Sequence, residues 1–108
     1  MGHRHTQAVV DLKRRFGDNL ILLRDRSGLS KSEMSVRSGL HLTQISLLER
    51  GLRLPRLDTI IKLAGALEVL PCDLLAGMAW RLRMDQGRPG AYVSSGAQGA
   101  AATTREAV

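Results

Sequence analysis

Aromatic side chains are nearly missing from this sequence: Phe16, Trp80 and Tyr92 are the only three in 108 residues. A β-sandwich core draws on aromatic and β-branched residues. A hydrophobic fraction of 44% carried mostly by Leu, Ile, Val, Met and Ala favours packed helices instead. Cys72 is the single cysteine, so no intrachain disulfide can form, and a reducing cytoplasm is the expected setting. A small core residue is the role expected of it. No apolar run approaches the roughly 18–20 residues of a membrane span. The N-terminal Met-Gly-His-Arg-His lacks the apolar stretch of a secretory signal. Acid is also scarce, with 10 Asp and Glu against 16 Lys and Arg and a net charge of +6. That excess favours a polyanionic partner, nucleic acid or an anionic membrane face, although a solvated basic surface is equally ordinary.

Catalytic and metal patterns are lacking too. There is no Ser/His/Asp set, no paired carboxylates, no Gly-rich phosphate loop and no zinc spacing. His3 and His5 flank Arg4 near the chain start without further ligands. Neither an enzyme nor a cofactor is expected.

What is present is helical periodicity. Val9, Leu12, Phe16, Leu20 and Leu23 recur at three- and four-residue spacing and predict a helix over 6–26, closed by Gly28. Ser30 with Glu33 three residues on is a capping-box signature, opening a second helix to Ser38. Gly39 and Leu40 form a turn, and a third helix is expected over 42–50 with Gly51 at its end. After a loop containing Pro55, Leu57, Ile60, Leu63, Ala64 and Leu67 predict a fourth helix over 57–68. A fifth is expected from Pro71 through Leu74, Leu75, Met78 and Trp80 to about Met84. The domain is thus placed at 6–84. Residues 85–108, rich in Gly, Ala, Ser and Thr, are expected to be a disordered tail.

Residues 31–50 have the pattern of a helix-turn-helix. Met34 and Leu48 face inward, Ser35 and Ser38 allow close helix approach, Gly39 supplies the turn, and Leu40 and Ile45 plug the space beneath. The third helix would keep one face bare for a major groove.

The run GLHLTQISLLERGLRLPRLDTIIKLAGAL, preceded by FGDNLILLRDRSGLSKSEM, resembles the Xre family of Cro and phage-repressor type domains. The resemblance spans roughly residues 9–78. It rests on Ile45-Ser46, Glu49-Arg50-Gly51, Pro55 and Leu57-Asp58-Thr59 in order. It implies an all-α, five-helix domain that binds operator DNA, usually as a two-fold dimer on a palindromic site. It also implies that Arg24 pairs with Glu49 beneath the recognition helix, as an architectural contact.

On that basis Leu42, Thr43, Gln44, Ser46 and Leu47 are the expected base-reading residues. Gln44 suits a bidentate pair with adenine, and Thr43 a polar or thymine-methyl contact. Lys31 and Ser32 at the start of the second helix, with Arg50, Arg53 and Arg56 in the following loop, are the expected phosphate contacts. The resemblance adds a narrow minor groove as a second destination for Arg56. Each of these would ordinarily be an idle, solvated side chain; the motif around them is what raises their standing.

Three features depart from the family pattern. Leu42 and Leu47 stand where polar or basic residues commonly face DNA. His41 and Arg56 stand at the N-caps of the third and fourth helices, each forgoing about 1 kcal/mol of capping. Ile21 and Leu22 make the end of the first helix apolar and point to contact with another segment or subunit.

Two functions are carried forward. The first is a sequence-specific, duplex-binding transcriptional regulator in the cytoplasm, associated with the nucleoid, with repression as the default. It would dimerise through the fifth helix and its extension (Leu70, Leu74, Leu75, Met78, Trp80 and Leu82). The alternative is a protein-interaction module, antitoxin-like or polymerase-binding, with DNA contact secondary.

Overall fold

The computed structural model describes residues 2–82 and 90–94. Five helices carry the domain: α1 Gly2–Ser27, α2 Lys31–Ser38, α3 Leu42–Glu49, α4 Leu57–Leu67 and α5 Pro71–Leu74. Two strands, β1 Met78–Arg81 and β2 Ala91–Ser94, follow. The first four helices lie where the periodicity puts them, α1 beginning four residues earlier than expected, with His3 and His5 at its start.

Their inward faces make one core: Phe16 and Leu20 from α1, Met34 from α2, Ile45 and Leu48 from α3, Ile60, Leu63 and Leu67 from α4, and Leu74 from α5. Full burial of each such side chain is worth about 1.5–3 kcal/mol. The helix-turn-helix closes through local polar contacts. Ser30 accepts from the Glu33 N–H while Glu33 accepts from the Ser30 N–H, completing the capping box. Gly39 adopts φ 76° at the C-cap of α2, a left-handed conformation that costs glycine nothing. Ser38 Oγ donates to the Met34 carbonyl and accepts from the Leu40 N–H. The serines thus do more than allow close approach; they satisfy the turn.

The fifth helix is corrected. It is a single turn, with Pro71 at its start and the Leu70 N–H bound by Asp73 at 2.9 Å. Gly77 at φ 85° then turns the chain into β1. Met78 and Trp80 therefore lie on a strand. Part of the expected tail is ordered: Ala91–Ser94 pairs antiparallel with β1, Trp80 opposite Tyr92, and packs on α1. The Trp80 ring sits edge-on to Tyr92, centroids 4.9 Å apart, over Gly90, where a β-carbon would overlap the indole. Residues 83–89 and 95–108, including Met84 and most of the expected tail, lie outside the described residues.

Cys72 is exposed rather than core, because one turn offers a single inward position and Leu74 fills it. Leu74, fully buried, is thereby removed from the outer surface assigned to it. Among the described residues, no helix is long and apolar enough to cross a membrane.

Candidate nucleic-acid interface

The site is built by the way α3 is held. Its inner side is sealed: Ile45 and Leu48 are fully buried, and Glu49 is nearly so. Arg24 Nε donates to Glu49 Oε2 at 2.7 Å and Arg24 Nη2 to Oε1 at 3.2 Å, a bidentate pair. Arg24 Nη1 donates to the Leu29 carbonyl at 3.0 Å. One guanidinium therefore ties the end of α1, the loop before α2 and the end of α3 together. The hydrogen bond to Glu49 pushes the Arg24 guanidinium above its ordinary pKa, against desolvation.

Two contacts were invisible in the sequence. Gly17 lies against α3 so closely that a β-carbon there would stand 2.7 Å from the carbonyl oxygens of both Leu48 and Glu49. The only trace in the sequence is a glycine in mid-helix, where it costs about 1 kcal/mol unless packing needs it. The second is Lys31, whose Nζ lies 3.9 Å from Glu49 Oε1. Lys31 thus stands beside a buried carboxylate at the start of α2. Elsewhere, Asn19 Nδ2 donates to the carbonyls of Leu74 and Ala76. Arg37 donates to the Ala66 carbonyl at 3.3 Å, joining α2 to α4.

The outer side of α3 is open. Leu42 and Thr43 are exposed, and Gln44, Ser46 and Leu47 are half-buried along the same helix. His41 makes no side-chain cap, so the first N–H groups of α3 stay available at a positive helix end. Ser32, Arg50, Arg53 and Arg56 are exposed and Lys31 is half-buried. Arg56 makes no cap for α4; its Nε reaches Asp58 Oδ1 at 3.4 Å in open solvent, a pair worth little. The structure thus brings the five α3 residues onto an unsealed helix, with basic residues at the start of α2 and in the loop after α3. Leu22 is 48% exposed and Ile21 half-buried. Among the described residues no group of His, Cys, Asp and Glu could hold a metal ion.

An exposed helix after a tight turn, locked from beneath and bordered by arginines, defines a DNA-binding transcriptional regulator of the Xre/Cro type. The helix-turn-helix family model matches residues 20–74, and the chain belongs to that family, a DNA-binding regulator type. It is 38% identical over 66 residues to an uncharacterised HTH-type transcriptional regulator, y4dJ, of Sinorhizobium fredii, covering 61% of this chain and 86% of that protein. It is 41% identical to the control protein C.BamHI of Bacillus amyloliquefaciens, over 56% of this chain and 75% of that one. Among solved structures it is similar to the restriction-modification controller protein C.AhdI from Aeromonas hydrophila. That match has 39% identity, a TM-score of 0.56, and covers 57% of this chain and 94% of that one.

Proposed function

We propose that this protein regulates transcription by binding a palindromic operator as a homodimer, each copy laying α3 in a major groove. Leu42, Thr43, Gln44, Ser46 and Leu47 read base edges. Gln44 is the discriminating donor–acceptor, worth about 1–3 kcal/mol against a wrong base. Lys31, Ser32, Arg50, Arg53 and Arg56 hold phosphates on either side of the groove, Arg56 having a narrow minor groove as its second destination. Repression by occluding polymerase is the default mechanism, with no cofactor, in the cytoplasm on the nucleoid. The observation that carries this reading is that α3 is sealed on one side by Arg24–Glu49 and Leu48 while Thr43 on the other is exposed.

For contact between copies, Leu70, Leu75, Trp80 and Leu82 stay exposed beyond α4, although the helix expected to carry them is a turn and a strand. A protein-interaction module is the second reading, favoured by the exposed Leu42 and Leu22.

Selection of bound sites from random duplex DNA, followed by a salt titration of the winner, tests the proposal. It predicts two half-sites about one helical turn apart. It also predicts a log–log salt slope of about −0.9 for each phosphate held. No enriched site, with a flat salt dependence, would refute it and favour the protein partner.

A further inference from the structure

We propose, resting on the duplex-binding reading above, that Lys13 and Arg14 of α1 hold DNA phosphates beside those held by Arg50 and Arg53. The footprint then runs past the helix-turn-helix onto the middle of α1.

Three basic residues, Lys13, Arg14 and Arg15, follow one another on α1, ahead of the stretch 20–74 that the family model matches. Their surroundings differ. Arg15 is committed to the fold, its Nε donating to the Ala76 carbonyl at 3.3 Å. Lys13 is exposed and Arg14 half-buried, and neither side chain pairs with another of the described residues.

Two glycines fix where this pair lies. A β-carbon on Gly51, which directly follows Arg50, would stand 3.1 Å from the Arg14 Cα and 3.5 Å from the Lys13 carbonyl oxygen. Three residues after Arg14, on the same side of α1, Gly17 meets the Leu48 and Glu49 carbonyls in the same way. Two successive turns of α1 thus lie backbone to backbone along the end of α3, and neither helix can slide without overlap. Main-chain contacts, not flexible side chains, hold Lys13 and Arg14 next to Arg50.

The charge around this contact is of one sign. Arg50 and Arg53 are exposed, so four cations gather about Gly51, and no acid falls between residues 50 and 57. Glu49 is nearly buried and taken by Arg24. On α1, Asp11 is already engaged, and the exposed Asp18 pairs with none of the four. Such a cluster repels itself in the free protein and draws a polyanion. Arg50 ends the helix whose outer side is open, so the strand bordering the groove that α3 enters is the polyanion continuous with it. A duplex presents a phosphate about every 3.4 Å of axis on each strand, enough for α1 to hold neighbours of those at the loop. The ordinary role for these cations is to sit at the carbonyl end of α3 and favour its dipole. That role serves stability and leaves DNA affinity alone.

A salt titration of the full chain on a random-sequence duplex several turns long separates the two roles, with the melting temperature read in parallel. Lys13→Ala and Arg14→Ala should each shallow the log–log slope by about 0.9. The affinity deficit of each variant then shrinks about threefold between roughly 50 and 200 mM salt. Lys13→Arg should bind as the wild type does. Arg15→Gln removes the same charge from the same helix and should leave the slope unchanged. Lys13, being exposed, decides the matter should Arg14→Ala fail to fold. Two results would overturn the proposal. One is an unaltered slope in Lys13→Ala, with or without a lower melting temperature, while Arg50→Ala shallows it. The other is equal shallowing by Arg15→Gln, which would reduce the effect to net charge. A wild-type slope near zero would sink the duplex-binding reading itself, and this one with it.

Discussion

Replacing Gly17 with alanine probes the contact that seats α3, and its sign is opposite to what helix chemistry alone gives. Gly17 lies inside α1, where alanine in place of glycine contributes about 1 kcal/mol of helix propensity. Its new β-carbon would sit 2.7 Å from the carbonyl oxygens of Leu48 and Glu49 and 3.1 Å from the Glu49 carbonyl carbon. Those are backbone atoms at the end of α3, so no side-chain rotation relieves the overlap. The helices must separate by roughly half an ångström or more to recover ordinary contact. Overpacking of this kind costs about 1–3 kcal/mol. Backbone on backbone belongs at the upper end, leaving a net loss of about 1–2 kcal/mol. For a domain of this size that lowers the melting temperature by about 4–16 °C. Gly65→Ala is the control, since a β-carbon there meets nothing within 4 Å, and it should raise stability by up to about 1 kcal/mol. Thermal unfolding of both variants by circular dichroism in dilute solution gives the comparison. If Gly17→Ala melts at or above the wild type, α1 does not press on α3 as the geometry requires.

Glu49→Ala should destabilise by about 3–5 kcal/mol, because the nearly buried Arg24 keeps only the Leu29 carbonyl; a denaturant midpoint close to wild type would contradict the lock. Gln44→Ala should relax selectivity at one or two base positions and leave binding to random duplex nearly unchanged. Equal losses on every sequence in an anisotropy titration would remove Gln44 from base reading. Arg53→Ala and Arg56→Ala should weaken all duplexes alike and shallow the salt slope by about 0.9 per contact, so unaltered slopes would take them off the DNA. Finally, the Ser30 N–H and hydroxyl hold the Glu33 carboxyl below its usual range. A depressed carboxylate stabilises the fold above its ordinary titration range, and that contribution is lost as pH falls through the lowered value. The melting-temperature gap between wild type and Glu33→Ala should therefore be open at neutral pH and close in acid below the ordinary glutamate range, and a gap that persisted there would exclude the capping box as its source.

How legible each part was depends on how local its cause is. The first four helices and their turns arise from spacing and caps within a few residues: Phe16 with Leu20, Ser30 with Glu33, Gly39 after Ser38. Such signals are written in the chain itself. The pairing of Arg24 with Glu49, 25 positions apart, came only through family resemblance, since nothing local at either residue names its partner. Gly17 was passed over, and the approach of Lys31, expected at a phosphate, to Glu49 was unforeseen, for the same reason. Their meaning is set by the backbone of α3 and by a carboxylate from another element.

The end of the chain misled for a different cause. Leu74, Leu75 and Met78 have helical spacing, yet Gly77 in a left-handed conformation breaks the run, and Asn19 captures the Leu74 and Ala76 carbonyls. A tertiary acceptor demand from α1 thus outweighs a local pattern that four residues of helix were too short to defend. The same contact explains why β2 forms in a segment of low apolar content. Once Asn19 fixes the turn, β1 presents an open edge beside α1, and Ala91–Ser94 closes it with Tyr92 set against Trp80. In this domain the residues proposed to meet DNA are the readable ones, because an exposed face needs no partner. The residues that aim that face are hidden, because aiming is done by contacts between elements.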